Sequence, residues 1–203
     1  YLLRSLLIQN PVSCIREYEN LNDELKKEKK LKIIYIDALL LTNQIELAEK
    51  NIKETPDYLT ELEFIVRLID ILDIKKDYKK VIRLLQGKDL KNLDDNGFLE
   101  AKYVKALINE KGIGEAEKII DEGLMKNPLV NVTIAEYLYE KKYPIKKVMK
   151  YCNKAIQTVD LNNELVIQIL SEQFENMNLF SESTQLLEKC KMKSIKTKVL
   201  YIR

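Results

Sequence analysis

Apolar positions recur along this chain in a pattern that repeats about every 34 residues. The pattern is clearest at residues 112–128, GIGEAEKIIDEGLMKNP, where a small residue, Ala116, is followed one helical turn later by Ile120. Residues four apart lie on the same face of a helix. Equivalent small or β-branched residues, spaced by 32 to 35 positions, are Ala48, Val81, Ala116, Val148 and Ser183. We call these the anchor residues, and their recurrence predicts a series of similar helical units.

Three further apolar columns keep the same phase relative to the anchor residues. Four positions after the anchors stand Ile52, Leu85, Ile120, Cys152 and Leu187, and three positions before them stand Ile45, Tyr78, Ile113, Ile145 and Phe180. Nine positions before the anchors, in the preceding helix, stand Leu39, Leu72, Leu107, Tyr139 and Phe174. Four columns that agree five times predict pairs of helices whose facing sides are buried.

The periodicity predicts an all-α chain of about six antiparallel helix pairs that form one domain over residues 1–203. The pairs are expected at residues 1–28, 30–54, 57–86, 98–126, 129–158 and 161–191, and residues 192–203 are expected to form a capping or truncated helix. In the fourth pair, the second helix is predicted over residues 114–126. Residues 86–97, QGKDLKNLDDNG, are predicted to be a loop, because the repeat resumes in phase after them.

The columns resemble those of the tetratricopeptide repeat (TPR) family, which has a small residue near the middle of the second helix, large apolar residues around it and a closing Pro. The resemblance extends from about residue 29 to residue 191 and is closest at residues 99–128. The chain departs from the family because it has no Trp, carries Asp160 and Ile195 at closing positions, and places Pro56 early. Sel1-like and half-a-TPR repeats have similar hairpins and remain alternatives.

The resemblance implies a right-handed α-solenoid, a TPR-like superhelix, whose concave groove is lined by the first helix of each pair. In such a groove, Asp37 and Asp70 are expected to meet a basic group of a bound segment. Lys105 and Asn109 are expected to hold polar or acidic groups, and Tyr137 is expected to supply apolar area. The alternative is that these five residues are ordinary exposed helix positions.

Charge is balanced along the chain, with 34 Lys and Arg against 32 Asp and Glu and a net charge of +2. This balance leaves no overall field that would attract nucleic acid, so no nucleic-acid partner is expected. Basic runs occur at residues 26–30, 75–80 and 141–147. Runs of mixed charge are usually solvated faces, and a patch for an anionic partner is the alternative.

Residue types that carry catalysis are scarce. Histidine is absent, which removes the usual general base and the commonest metal ligand. The GIG at residues 112–114 lies in a turn between helices and lacks the preceding strand of a phosphate-binding loop. We therefore expect no catalytic residues, no cofactor and no metal site.

Three cysteines, Cys14, Cys152 and Cys190, include no CxxC pair and are expected to be buried packing residues, not disulfides. Free cysteines indicate a reducing environment, and a cytoplasmic location is expected from this. No apolar run is long enough for a membrane span. The chain begins at Tyr1, and the pattern continues towards both ends. This leaves room for a signal peptide or a neighbouring domain outside this sequence.

Together these features predict a non-catalytic scaffold that binds a peptide or helix segment of another protein in its groove, or that joins copies of itself into a homo-oligomer. One alternative is an accessory helical-repeat domain of a larger enzyme, for example a glycosyltransferase. Another is the repeat array of a peptide-sensing regulator.

Overall fold

The computed structural model of the chain describes residues 2–54 and 59–190. Every regular element in these residues is a helix, so the all-α prediction is confirmed. Their α-helices are α1 (Leu2–Gln9), α2 (Pro11–Glu19), α3 (Asp23–Lys26), α4 (Lys29–Leu41), α5 (Ile45–Glu54), α6 (Glu61–Ile74), α7 (Tyr78–Leu85), α8 (Leu90–Leu93), α9 (Phe98–Lys111), α10 (Ile113–Ile119), α11 (Pro128–Glu140), α12 (Ile145–Thr158), α13 (Glu164–Asn176) and α14 (Phe180–Lys189). Pro56 and the predicted helix at residues 192–203 lie outside the described residues.

Polar side chains fix where several helices begin. At the start of α6, the Thr60 hydroxyl accepts a hydrogen bond from the Glu63 N–H, and the Glu63 carboxylate accepts one from the Thr60 N–H at 2.8 Å. At the start of α13, the Asn163 side chain accepts a hydrogen bond from the Val166 N–H at 3.2 Å. Such caps satisfy N–H groups that have no partner inside the helix, and each typically stabilises a helix by about 1 kcal/mol.

The turns after four long helices share one backbone geometry, the Schellman motif. In the turn after α4, the Gln44 N–H donates to the Leu39 carbonyl at 2.8 Å and the Asn43 N–H donates to the Leu40 carbonyl at 3.1 Å. The same two bonds recur after α6, α11 and α13. Each turn holds one left-handed residue, namely Asn43 (φ 58°), Lys76 (φ 55°), Lys142 (φ 57°) and Asn178 (φ 58°). This motif satisfies the last carbonyls of a helix and ends it abruptly, so the next helix can begin within a few residues.

The turn between α9 and α10 is different and depends on Gly112. Its φ of 80° and ψ of 159° lie in a region that is essentially restricted to glycine. The Gly112 N–H donates to the Ile108 carbonyl at 2.9 Å, and the Gly112 carbonyl accepts from the Ala116 N–H at 3.0 Å. A single residue therefore ends one helix and starts the next.

The chain divides into two compact units, Tyr1–Lys80 and Val81–Arg203. In the first unit, α1 packs against α2 and α4, and α4 packs against α5. In the second unit, α9 with α10, α11 with α12 and α13 with α14 pack as consecutive pairs, and α11 also contacts α9 and α13. In the second unit, neighbouring pairs are therefore in contact through their first helices, whereas in the first unit α4 contacts both α1 and α2, and α6 packs against the second helix α5.

Each unit has an apolar core that contains many of the column residues, whereas Leu72, Val81 and Leu85 of the third pair are buried outside both cores. All five anchor residues are buried, as are all five residues four positions later. In the column nine positions before the anchors, four residues are buried and Tyr139 is half-buried. The column three positions before the anchors is wrong at two places, because Ile145 is 56% exposed and Phe180 is 59% exposed. The residues of this column begin their helices, where burial depends on the preceding turn as well as on the helix face.

The second helix of the fourth pair is shorter than predicted. Ile120 is extended, with φ −73° and ψ 107°, so the helix prediction for residues 114–126 is wrong after Ile119. The Asp121 carboxylate accepts a hydrogen bond from the Leu124 N–H at 2.8 Å, and a 3-10 helix follows at Leu124–Lys126. An Asp side chain that bonds to nearby backbone in this way competes with helix continuation.

Candidate functional site

The predicted groove residues of the first unit are Asp37 on α4 and Asp70 on α6, and Asp37 pairs with Arg67, which also lies on α6. The Arg67 Nη2 donates to Asp37 Oδ2 at 2.9 Å, and the Arg67 Nε lies 2.9 Å from Asp37 Oδ1. Only 12% of the Arg67 side chain is exposed, against 32% for Asp37. This two-point contact joins the two first helices, and one further ion pair, Lys29 to Glu63 at 3.1 Å, also joins α4 to α6.

The electrostatic setting of Asp37 is mixed. Burial raises the pKa of the Asp37 carboxyl, the Arg67 guanidinium opposes that rise, and the charges of Asp70 and Glu63 add to it. Asp37 and Asp70 are therefore close enough to influence each other, as the groove prediction requires. A basic group of a bound segment would compete with Arg67 for Asp37, which the sequence pattern did not indicate.

The predicted groove residues of the second unit lie on α9 and α11. The exposed Asn109 donates from Nδ2 to the Lys105 carbonyl at 2.9 Å, one helical turn back on α9. The positive charge of Lys105 acts on Glu136 of α11, whose pKa is raised mainly by burial and next by Glu140, and lowered by Lys105. Lys105 is thus near α11, the helix that carries Tyr137.

Tyr137 is half-buried and packs against the core of the second unit. The Lys141 ammonium lies 5.8 Å from the centre of its ring, within cation–π range. Lys105, Asn109 and Tyr137 therefore belong to one pair of contacting helices. Whether they bind a partner stays a prediction, as it does for Asp37 and Asp70.

The basic runs carry many internal contacts. In residues 75–80, Lys75 pairs with Glu49, and Lys80 pairs with Asp77 at 2.7 Å. In residues 141–147, the Lys147 ammonium lies 5.0 Å from the centre of the Tyr143 ring. These contacts favour the interpretation of the runs as solvated faces of mixed charge.

A feature that the sequence pattern missed is a cleft of about 710 Å³ in the second unit. It is lined by three segments that connect the longer helices, at residues 85–97, 121–128 and 158–166, together with Glu100 and Tyr103 of α9. Its carboxylates are Asp89, Asp94, Asp95, Glu100, Asp121 and Asp160, and its lysines are Lys88, Lys91 and Lys126. The lining also includes apolar side chains, among them Leu124 and Val166. We call this the loop cleft.

Asn127 holds two walls of the loop cleft together. Its Nδ2 donates to the Gly97 carbonyl at 2.8 Å and to Glu100 Oε2 at 2.7 Å. Gly97 has φ 76°, and a Cβ atom placed there would lie 2.1 Å from Asn127 Nδ2. Glycine is therefore needed at position 97 for its backbone conformation and for the close approach of the amide.

Two other contacts order the rim of the cleft. The buried Asp94 carboxylate accepts hydrogen bonds from the N–H groups of Asn96 at 3.1 Å and Leu99 at 2.9 Å. The Asn163 Nδ2 donates to Asn96 Oδ1 at 3.0 Å, which ties the third segment to the first. The sequence signal for this architecture was the density of Asp, Asn and Gly at residues 94–97, which the periodicity identified only as an interruption.

The described residues carry little further chemistry. All three cysteines are buried free thiols, which confirms the packing prediction, and burial raises the pKa of the Cys152 thiol to about 12. Among residues 2–54 and 59–190, no group of three or more acidic or cysteine side chains is placed to hold a metal ion. No helix in that part of the chain has both the length and the apolar character needed to cross a bilayer.

Comparison with known proteins gives no relative to which the site can be referred. The chain matches no protein-family model, no curated protein and no solved structure.

Proposed function

We propose that the chain is a TPR-like helical-repeat module without catalytic activity that binds a peptide segment of another protein on its first helices. The observation that carries this proposal is the recurrence of one turn. Four helices end in the same Schellman geometry, with the left-handed residue at Asn43, Lys76, Lys142 and Asn178. A shared turn at a period close to that of the buried anchors is what a tandem helical repeat requires, and solenoids of such repeats present their first helices as a binding wall.

Packing within the units supports the same proposal. Contacts of α9 with α11 and of α11 with α13 place first helices side by side in the second unit. In the first unit, α1 contacts α4, and the Asp37 to Arg67 ion pair joins α4 to α6. First helices that adjoin one another offer a continuous surface on which an extended or helical segment can lie.

In the second unit this surface offers Lys105, Asn109 and Tyr137. The Lys105 side chain can pair with a carboxylate, and the Asn109 amide can both donate and accept hydrogen bonds. The Tyr137 ring supplies rigid apolar area with a polar tip, a combination common at the centres of binding surfaces. A bound peptide that carries an acidic residue close to an apolar one would therefore contact all three side chains.

The test is binding of the full chain to an array of synthetic peptides of varied sequence, followed by titration of the peptides that are retained. We expect Asn109→Ala and Lys105→Gln together to weaken those peptides at least tenfold, about 1.4 kcal/mol, because both groups face the bound segment. The matched control is Lys118→Ala, since the Lys118 side chain is 70% exposed on α10, a second helix.

Two outcomes would contradict the proposal. One is an array on which no peptide binds the chain. The other is a set of peptides that bind the Lys105→Gln/Asn109→Ala chain as tightly as the unsubstituted chain while Lys118→Ala weakens them, because the binding surface would then lie on the second helices. Far-UV circular dichroism is used to check that each variant keeps its helix content.

A further inference from the structure

The loop cleft of the second unit has an excess of negative charge. Six carboxylates and three lysines line it. Several of the carboxylates stand at an exposed rim, including Asp89, Asp95, Asp121 and Asp160. A cleft whose lining is dominated by one sign of charge concentrates ligands of the opposite sign. The charge complement of this cleft is a lysine-rich segment.

Such a segment exists in the same chain. Residues 191–203 read KMKSIKTKVLYIR and contain five cationic residues and no acidic one. The same thirteen residues include a run of apolar side chains at positions 199–202. This composition combines positive charge with apolar area, and the cleft combines carboxylates with Leu124, Val166 and other apolar side chains. The segment lies outside the described residues.

The described chain reaches the edge of the cleft directly before this segment. The Cys190 Sγ donates to the Leu161 carbonyl at 3.5 Å. Leu161 follows Asp160 and precedes Asn163 by two positions, and both of those residues line the cleft. Thirteen residues can span at most roughly 40 Å when extended. Every part of the cleft rim near Asp160 is therefore within reach of residues 191–203.

We propose that the loop cleft binds residues 191–203 of its own chain, with lysine ammonium groups on the rim carboxylates. Individual ion pairs at an exposed rim are weak. The segment is tethered at Cys190, however, and a short tether gives an effective concentration on the order of millimolar. A contact with an intrinsic Kd of about 1 mM is therefore half-occupied within one chain. The cleft lining includes Glu100 and Tyr103 of α9 but none of Lys105, Asn109 and Tyr137, so this proposal does not depend on the peptide binding proposed above.

The experiment is zero-length carbodiimide coupling of the full chain at low concentration, followed by digestion and mass spectrometry. The reagent joins a lysine amine to a carboxylate only when the two are in contact. We expect amide links between lysines of residues 191–203 and the rim carboxylates Asp95 and Asp160. Their yield should fall several-fold when the salt concentration is raised from about 0.05 M to 0.5 M, because exposed charges are screened.

The test variant is Asp95→Asn/Asp160→Asn, which removes two rim charges. An Asn side chain at position 160 keeps the Oδ1 acceptor that bonds the N–H of Asn162 at 2.9 Å, so the loop geometry is retained. The matched control is Glu122→Gln/Glu164→Gln, which removes two exposed carboxylates close to the cleft in sequence but outside its lining. We expect the test variant to lower the yield of the remaining links to the cleft at least five-fold and the control to leave it unchanged.

Three outcomes would overturn the proposal. The lysines of residues 191–203 could form no links to the cleft, or they could couple to Glu122 and Glu164 as often as to Asp95 and Asp160. In the third case, about half of the links in an equal mixture of ¹⁴N- and ¹⁵N-labelled chains would join differently labelled copies, which is the share expected when every link is between molecules and would make a second molecule the occupant. Links confined to single copies and lost in the test variant support the proposal.

Discussion

Asp37 is the predicted groove residue whose surroundings differ most from a free carboxylate on a helix surface. Its two oxygens face the Nε and Nη2 of Arg67 across two helices. Arg67 is the more buried partner, with 12% of its side chain exposed. A charge that is largely removed from water is stabilised by its partner, so the loss of Asp37 would destabilise the Arg67 guanidinium in the folded chain.

A substitution at Asp37 is therefore expected to change stability as well as binding. Asp37→Lys places an ammonium beside the Arg67 guanidinium, and we expect it to lower the free energy of unfolding of the chain by about 1–3 kcal/mol, between the values for exposed and buried pairs. The exchanged pair Asp37→Lys/Arg67→Asp should recover part of that loss. Urea unfolding followed by circular dichroism measures all three chains.

The control for the Asp37 substitutions is Glu17→Lys, which makes the same change of charge at an exposed position of α2. We expect an effect of no more than about 0.5 kcal/mol there, as for surface substitutions in general. If Asp37→Lys unfolds at the same urea concentration as Glu17→Lys, the ion pair does not stabilise the unit and Asp37 is available to a partner.

The repeat phase was sufficient to place Asp37 on a first helix, but it could not identify Arg67 as its partner. The phase places residues on faces, whereas a salt bridge between neighbouring helices depends on side-chain reach and on the offset between the helices. The loop cleft was missed for a related reason. Its shape depends on contacts such as Asn127 to Gly97, thirty positions apart, in segments that have no period.

The Schellman turn recurs after four helices of the described residues, and two of these turns carry an unfavourable residue. Lys76 and Lys142 are exposed and have φ values of 55° and 57°. The left-handed conformation costs a residue with a Cβ atom roughly 1–2 kcal/mol, and Asn tolerates it better than most residues do. Glycine has no such cost, so a glycine at either position should make the folded chain more stable.

We expect Lys76→Gly and Lys142→Gly each to raise the free energy of unfolding by about 0.5–1 kcal/mol. Relief of the left-handed strain exceeds the greater entropy that glycine gives to the unfolded chain, which is about 0.4–1 kcal/mol. The controls are Lys76→Ala and Lys142→Ala, which remove the same charge but keep the Cβ atom. An alanine variant as stable as the glycine variant would show that charge, not backbone conformation, limits these turns.

The existence of the long helices was predictable from their buried columns, whereas their ends were not, and the loop prediction for residues 86–97 is wrong at the short helix α8. The apolar period continues through Ile120, yet α10 ends one residue earlier because Asp121 bonds to the backbone of the following turn. A lysine in a left-handed turn gives no sequence signal of a helix end, since Gly and Asn are the usual residues there. Local hydrogen bonding decides these ends, and apolar periodicity does not record it.

At the scale of the whole molecule, the described residues form two units, each with its own apolar core. In the second unit α11 is the central helix, because it contacts α9, α12 and α13. Leu138 of α11 is fully buried in that core. In a tandem repeat, stability is approximately a sum of terms from each repeat and its nearest neighbours, so damage should remain local.

The prediction that follows concerns Leu138→Ala. Truncation of a buried leucine costs about 2–5 kcal/mol, and we expect amide hydrogen exchange to accelerate most in α9, α11, α12 and α13. Exchange in α4 and α5 of the first unit should change by a much smaller factor. Lys146→Ala, at an exposed position of α12, is the control and should leave exchange unchanged in both units. Equal acceleration of exchange in every helix would mean that the chain unfolds as one cooperative body, and the tandem-repeat proposal would then lose its energetic basis even though the turns recur.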